Sequence, residues 1–208
     1  MSDTDPHAIR TSEALREVIG EGFPGLDLKN QPLLDEFAID FIARSPLLVL
    51  STSDATGNLD ASPKGDAAGF VMVEDERTIV IPDRPGNKLA YGHLNVLANP
   101  KVGVLFLIPG TPETLRVNGS AELTADPVLL ERLAARGKPA VLALRVHVDE
   151  CFFHCAKAFI RSAAWKPETW PERVKVSFGR MLAKRTGADE KVVEAVDHAV
   201  ETDYRDNL

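Results

Sequence analysis

The chain changes its pattern of apolar and polar positions near residue 46, and this change predicts two helices followed by a β-rich core. Upstream, apolar side chains recur at helical spacing, which indicates a first helix from about Asp5 to Ile19. A second helix is indicated by an apolar stripe that ends before Pro46. The stripe consists of Leu33, Leu34, Phe37, Phe41 and Ile42.

Downstream of Pro46, the apolar positions alternate or form short runs, which is typical of β-strands. The strand-like segments are 47–53, 59–63, 69–73, 78–82, 101–109, 114–123 and 140–150. The first four of them form two predicted hairpins, and short helices follow near residue 90 and near Pro127 to Ala134. About six hairpin-linked strands with so few helices favour an antiparallel barrel over a doubly wound parallel sheet. The predicted class is therefore mainly β with flanking helices.

The length and composition of the chain are sufficient for one well-buried domain. It has 208 residues, of which 44% are hydrophobic, and a chain of this size buries a sizeable core. We predict three segments within this domain. They are N-terminal helices packed on the barrel (1–45), the barrel core (46–150) and a C-terminal helical segment (151–208).

The charge and the cysteine content narrow the possible functions. The formal net charge of -7 disfavours binding to nucleic acid and to anionic membranes. We see neither a signal peptide nor an apolar run of membrane-spanning length, and we expect a cytoplasmic protein. Cys151, His154 and Cys155 lie close together, but a structural zinc site needs four ligands. We predict a buried thiol pair in an aromatic cluster and no metal site.

The segment from Ile81 to Pro100 is the clearest candidate for a ligand site. It joins a predicted strand to a predicted helix, with Asn87 as the expected N-cap and Gly86 allowing close approach of the backbone. The start of a helix favours an anion, and Arg84 and Lys88 would add two cations beside it. The pattern favours a phosphate-binding site. The alternative is a solvated basic loop.

A second candidate lies in the segment from Leu59 to Phe70. Pro63 would remove a hydrogen bond from a central strand, so it indicates a strand edge. Ser62 and Lys64 at such an edge could offer a hydroxyl group and a cation to a ligand. The alternative is an ordinary turn rich in proline, glycine and aspartate.

Two further residues allow both a structural and a functional interpretation. Arg116 lies on the polar face of a predicted strand, where it either pairs with Glu122 or binds a ligand. Trp165 either packs in the core or forms a stacking wall for a flat ring. The sequence contains no nucleophile-elbow, zinc-protease, Walker or kinase signature, so hydrolase chemistry has no support.

With these residues in place, the chain resembles the pyridoxamine 5′-phosphate oxidase-like, FMN-binding split-barrel superfamily. The resemblance covers roughly Ile42 to Val148 and is carried by the motifs DASPKGD, GFVMV, TIVIPDRPGNK, VGVLFLIPG and ETLRVNG. The forms SPKGD, RPGNK, ETLRVNG and FHCAKAFIRSAAW are similar to one bacterial subfamily of FMN-binding proteins. The resemblance implies a six-stranded antiparallel split barrel. It also implies a homodimer with one FMN in each of two clefts at the subunit interface.

The resemblance also implies which residues bind the cofactor. The residues implied for the FMN phosphate are Arg84, Asn87 and Lys88. Those implied for the isoalloxazine ring and the ribityl chain are Ser62, Pro63 and Lys64. Those implied to meet the flavin from the other subunit are Arg116 and Asn118, and further candidates in the C-terminal segment are Arg161 and Trp165.

The implied function is that of an FMN-dependent oxidoreductase that transfers hydride between the flavin and a small substrate or NAD(P)H. No catalytic residue is assigned, because the cofactor carries the chemistry. The chain lacks the Arg-Leu-Ala-Pro ending of the pyridoxamine phosphate oxidases proper, which argues against that particular reaction. The alternatives are a flavin carrier without turnover and a split barrel that binds a deazaflavin or haem.

Overall fold

A computed structural model describes residues 5–207. Residues 1–4 and 208, which belong to the predicted terminal segments, lie outside the described residues. The strands are β1 (Leu47–Ser53), β2 (Leu59–Gly65), β3 (Met72–Asp75), β4 (Thr78–Asp83), β5 (Lys101–Leu107), β6 (Thr114–Thr124) and β7 (Leu142–His154). The helices are α1 (Ser12–Ile19), α2 (Glu36–Arg44), α3 (Tyr91–Ala98), α4 (Pro127–Arg132), α5 (Lys157–Ser162), α6 (Phe178–Thr186) and α7 (Glu190–Asp206).

The strands form one antiparallel sheet in the order β2-β1-β5-β6-β7-β4-β3. The predicted mainly-β architecture with flanking helices is confirmed. The predicted number of six strands is wrong, since the described residues contain seven. The seven strands correspond to the seven strand-like segments of the sequence, and β3, predicted at 69–73, is a four-residue strand at one edge of the sheet that pairs with β4.

The first helix begins later in the chain than predicted. The first helix begins at Ser12 rather than near Asp5, because the Thr11 hydroxyl accepts a hydrogen bond from the amide of Ala14 at 3.2 Å and caps the helix there. None of its residues is buried. The second helix is capped in the same way by Asp35 and buries Ala38, Phe41 and Ile42 against the sheet.

The core lies on one face of the curled sheet. Alternate residues of the central strands point into it, as the two-residue period of a strand requires. The largest fully buried side chains there include Leu48, Leu50, Phe106, Leu115 and Val146. The opposite face carries the intervening residues, among them Arg116 and Asn118 of β6, which are half-buried.

The edge strand β2 meets β4, the strand next to the opposite edge, along a seam that is defined here by the C-terminal ends of β2 and β4. The sheet order separates these strands by four others, yet Lys64 of β2 and Asp83 of β4 form an ion pair at 2.9 Å. A second ion pair joins Arg84 and Asp66, the residues that follow the two strands, also at 2.9 Å. No backbone pairing joins β2 to β4 within residues 5–207. Side chains therefore close the seam.

The cysteines do not form the predicted buried pair. Cys151 lies in β7 and is buried in the core, where burial raises the pKa of its thiol to about 12. Cys155 follows the end of β7 and is exposed. The prediction is wrong because the strand ends between the two residues.

The last two helices pack mainly against each other. Gly179 of α6 lies so close to Val193 of α7 that an added Cβ would overlap the Val193 carbonyl. None of the described helices is long and apolar enough to cross a membrane.

Candidate functional site

A groove of about 780 Å³ runs along the seam between the ends of β2 and β4 and is closed on one side by α3. Ser62, Pro63 and Lys64 supply its β2 wall. The loop after β4 supplies the opposite wall with Arg84 and the segment 85–90. The fold therefore brings together the two segments that the sequence analysis selected, although 18 residues separate Arg84 from Asp66 along the chain.

Helix α3 is fixed on the barrel by two amide side chains. Asn95 donates to the Thr52 hydroxyl at 3.1 Å, and Asn99 donates to the Ser53 hydroxyl at 2.8 Å. Both hydroxyls belong to β1, which lies beside β2 in the sheet. These bonds hold the middle and the C-terminal end of α3 against the barrel.

The start of α3 differs from the prediction. The helix begins at Tyr91, with Ala90 as its N-cap residue, and no side chain within residues 5–207 caps it. The prediction that Asn87 is the N-cap residue is wrong. The side-chain oxygen Oδ1 of Asn87 accepts a hydrogen bond from the backbone amide of Leu89 at 3.0 Å and closes a local turn before the helix.

The loop between β4 and α3 contains strained backbone. Lys88 and Ala90 have φ values of 60° and 55°, in the left-handed region that non-glycine residues rarely adopt. Such strain costs on the order of 1–3 kcal/mol per residue and clusters at functional sites. The loop is therefore held in a shape that local preference alone would not select.

The cations of the groove differ in their surroundings. The Arg84 guanidinium donates from Nε to Asp66 and from Nη1 to the Leu133 carbonyl, each at 2.9 Å. The Lys64 ammonium donates to Asp83 at 2.9 Å. Lys88 is exposed on the loop. A bound anion would thus meet one exposed ammonium and two cations that are already oriented by carboxylates.

Two groove residues, Asp83 and His93, and Asp66 beside the groove were not selected by the sequence analysis. Asp66 and Asp83 orient the two cations, and Nε2 of His93 on α3 lies 3.6 Å from the Asp83 carboxylate. Each lies inside or next to a selected motif. Their roles depend on contacts across the seam, and no local spacing indicates such contacts.

The other four predicted residues lie outside the groove. Arg116 and Asn118 are on the face of β6 that points away from the core. Arg161 is exposed on α5. Trp165 donates from its indole nitrogen to the Thr111 carbonyl at 2.9 Å and stacks on Phe159 with ring centroids 5.3 Å apart. The indole ring therefore packs against its own chain.

Comparison with known proteins identifies the family. The sequence model described as pyridoxamine 5′-phosphate oxidase matches residues 34–155, from just before α2 to the end of β7. The chain belongs to the pyridoxamine 5′-phosphate oxidase family. Its fold is accordingly the split barrel that the sequence predicted, with seven strands in place of six.

Solved structures similar to this member of the family are distant in sequence. HupZ of Group A Streptococcus is 18% identical, with a TM-score of 0.48 over 58% of this chain and 93% of that chain. A Clostridium acetobutylicum protein related to general stress protein 26 is 14% identical, with a TM-score of 0.43 over 58% and 90%. An FMN-binding protein from Syntrophomonas wolfei is 13% identical, with a TM-score of 0.42 over 56% and 81%. The search of curated proteins gave no match.

Proposed function

We propose that the seam groove binds FMN and that the protein is a flavin-dependent oxidoreductase. One observation carries this proposal: in a member of the pyridoxamine 5′-phosphate oxidase family, a single groove gathers Arg84, Asn87 and Lys88 with Ser62, Pro63 and Lys64. These two sets are the ones that the sequence assigned to the phosphate and to the remainder of FMN.

The chemistry of the groove residues fits such a ligand. Lys88 and the free Nη2 of Arg84 can bind a dianionic phosphate through charge-assisted hydrogen bonds. FMN would supply the hydride chemistry when it is bound. Asp83 holds the ammonium of Lys64 on the β2 wall, where a fixed positive charge would stabilise an anionic reduced ring. His93 lies beside the same carboxylate and can exchange a proton with a ligand.

We also propose that two copies of the chain form a homodimer around the groove. Several large apolar side chains next to the groove are exposed, and an apolar patch of this kind marks an interaction surface. The exposed side chains of this region are Leu89, Tyr91, Leu94, Leu97 and Val141. In such a dimer, Arg116 and Asn118 of one subunit would approach the flavin held by the other.

The direct test of the cofactor assignment is the double variant Arg84→Ala with Lys88→Ala. Each lost charge-assisted hydrogen bond should cost about 1.5–3 kcal/mol, or roughly tenfold or more in affinity. We expect the purified wild-type protein to retain FMN and the double variant to lose it. Equilibrium dialysis with FMN, followed by flavin absorbance, measures the difference.

The control is Arg44→Ala with Lys101→Ala, which removes the same charge from exposed positions outside the groove. If the two double variants retain FMN equally well, the assignment of the groove is wrong. NADH and NADPH oxidation by the FMN-loaded protein then tests turnover. Loaded protein that oxidises neither of them nor any reduced small substrate in a screen would be a flavin carrier instead of an oxidoreductase.

A further inference from the structure

The N-terminal part of the chain lies on the protein without burying any of its own residues. The chain joins the barrel at Gln31, whose backbone exchanges two hydrogen bonds with Cys151 of β7, at 2.9 and 2.7 Å. We call residues 5–29, which precede this contact, the N-terminal arm. No residue of the arm is buried, and its apolar side chains include Val18 and Phe23, which are 70% and 83% exposed. Exposed apolar residues that lie together mark an interaction surface.

The helix of the arm, α1, has an uncovered apolar face with an acidic border. Leu15, Val18 and Ile19 share this face because they are three and four residues apart. Glu13 and Glu17 are exposed and lie one turn apart beside it. A helix of eight residues is marginal in water, and the packing of its apolar face supplies most of its stability. Helix α1 therefore needs a partner surface.

The last two helices form a hairpin whose first helix, α6, presents a face of matching character. Phe178, Met181 and Leu182 lie at helical spacing and are between 41 and 50% exposed. Lys184 and Arg185 follow in the last turn of α6 and are also exposed. Neither forms an ion pair within residues 5–207. The face of α6 is thus apolar with a basic end, which complements an apolar face with an acidic border.

The two faces do not cover each other within one chain, because both stay exposed. Two copies of the chain resolve this. Each copy carries one α1 face and one α6 face, so a two-fold axis lets each α1 pack on the α6 of the other copy, and no face is left over. A lipid surface fits less well, since helices that lie on anionic membranes carry Lys and Arg on the polar face, whereas Glu13 and Glu17 border the apolar face of α1.

We propose that two copies of this chain exchange their N-terminal arms, with α1 of each copy packed on α6 of the other. Both helices lie outside residues 34–155, the part of the chain that the family model matches. The inference goes beyond the proposed function and does not require bound FMN. It adds a second contact to the dimer that we propose around the groove.

The test mixes two charge-reversed chains. The arm variant is Glu13→Lys with Glu17→Lys, and the hairpin variant is Lys184→Glu with Arg185→Glu. Alone, each should self-associate roughly tenfold more weakly than the wild type, because like charges then face each other. In an equimolar mixture, the reversed arm meets the reversed α6 and the two unaltered faces meet as well. We expect the mixture to associate as tightly as the wild type in sedimentation experiments without added flavin.

Mixing distinguishes exchange between copies from packing within one chain. If α1 packs on α6 of its own chain, or on neither, the mixture should show no recovery, and random pairing should give mixed pairs in about half of the dimers. Native mass spectrometry counts the mixed pairs, and either of these results overturns the proposal. A wild-type chain that stays monomeric, whether or not it binds vesicles of anionic phospholipid, overturns it as well.

A second variant tests the apolar contact without any change of charge. Leu15→Ser with Val18→Ser alters exposed side chains, so the fold of the single chain does not depend on them. We expect this variant to self-associate roughly tenfold more weakly than the wild type, because each serine removes apolar surface from the interface. Unchanged association would refute the packing of α1 on α6.

The control for net charge is Glu168→Lys with Glu172→Lys, which makes the same change of charge as the arm variant at exposed positions outside both faces. It should restore nothing when it is mixed with the hairpin variant, and equal recovery would mean a general charge effect and would refute the exchange. Failure of the proposed function is distinguishable. Arg84→Ala with Lys88→Ala, introduced into both mixed chains, should abolish FMN binding and leave the preference for mixed pairs intact.

Discussion

At the scale of single residues, the sequence identified the cations of the groove but not their partners. Arg84 and Lys88 could be selected because the turn that carries them is continuous in the chain. The carboxylates that orient Arg84 and Lys64 lie across the seam, and the sequence separates these pairs by 18 and 19 residues. Contacts of this kind depend on how the sheet closes, which local spacing does not encode.

The titration of His154 leads to a prediction on stability. Burial and two neighbouring cations lower the pKa of this imidazole below 6.5 in the folded state. Below pH 6.5 the unfolded chain therefore binds more protons than the folded one, and the free energy of unfolding falls as the pH falls. We expect His154→Gln to reduce this slope between pH 6.5 and 5, as measured by urea denaturation.

The exposed His7 offers the matched control. His7→Gln should leave the pH dependence as it is in the wild type. If His154→Gln has no effect on the slope either, the imidazole of His154 is not the group that titrates.

At the scale of elements, the strands were predicted well and the start of α3 was not. Hairpins such as β1–β2 join neighbouring segments, so alternating apolar positions and a turn with Gly57 are enough to indicate them. The N-terminus of α3 is set instead by two left-handed residues, Lys88 and Ala90. Because side-chain preference disfavours that conformation, the sequence placed the helix start too early.

The long β6–β7 ribbon contains a register shift between Asn118 and Gly119, and it leads to a prediction. A Cβ added at Gly119 would overlap the carbonyl oxygen of His147. We expect Gly119→Ala to lower the free energy of unfolding by about 2–4 kcal/mol, because backbone must move to accommodate the methyl group. Chemical denaturation followed by fluorescence measures the loss.

Gly22→Ala is a suitable control for this substitution, since nothing lies within 4 Å of the added atom. It should change the free energy of unfolding by no more than about 0.5 kcal/mol. A loss at Gly119 that is no larger than the loss at Gly22 would show that the ribbon tolerates the extra atom.

At the scale of the whole molecule, the mainly-β barrel was predictable, and the side-chain contacts that close it were not. The seam is held by the ion pairs Lys64–Asp83 and Arg84–Asp66. Partly exposed pairs of this kind contribute about 1 kcal/mol or less each. The contact between β2 and β4 at the seam is therefore weak, whereas neighbouring strands of the sheet are joined by backbone hydrogen bonds.

A ligand that bridges the seam should stabilise the whole fold. At a concentration 100 times its Kd, a ligand that binds only the folded state adds about 2.7 kcal/mol. For a chain of this size we expect FMN to raise the Tm by about 5–10 °C, as measured by differential scanning calorimetry. The effect should vanish in Arg84→Ala with Lys88→Ala, and an equal rise in that variant would contradict binding at the seam.

The weakly held seam also bears on the abundance of the protein in a cell. When a folded protein opens and closes faster than a protease cleaves it, the rate of cleavage is proportional to the fraction of molecules that are open. On the proposed function, newly made copies would therefore survive longer where riboflavin is plentiful and be cleared sooner where it is scarce. Vitamin supply would then adjust the standing amount of the protein without any change in its synthesis.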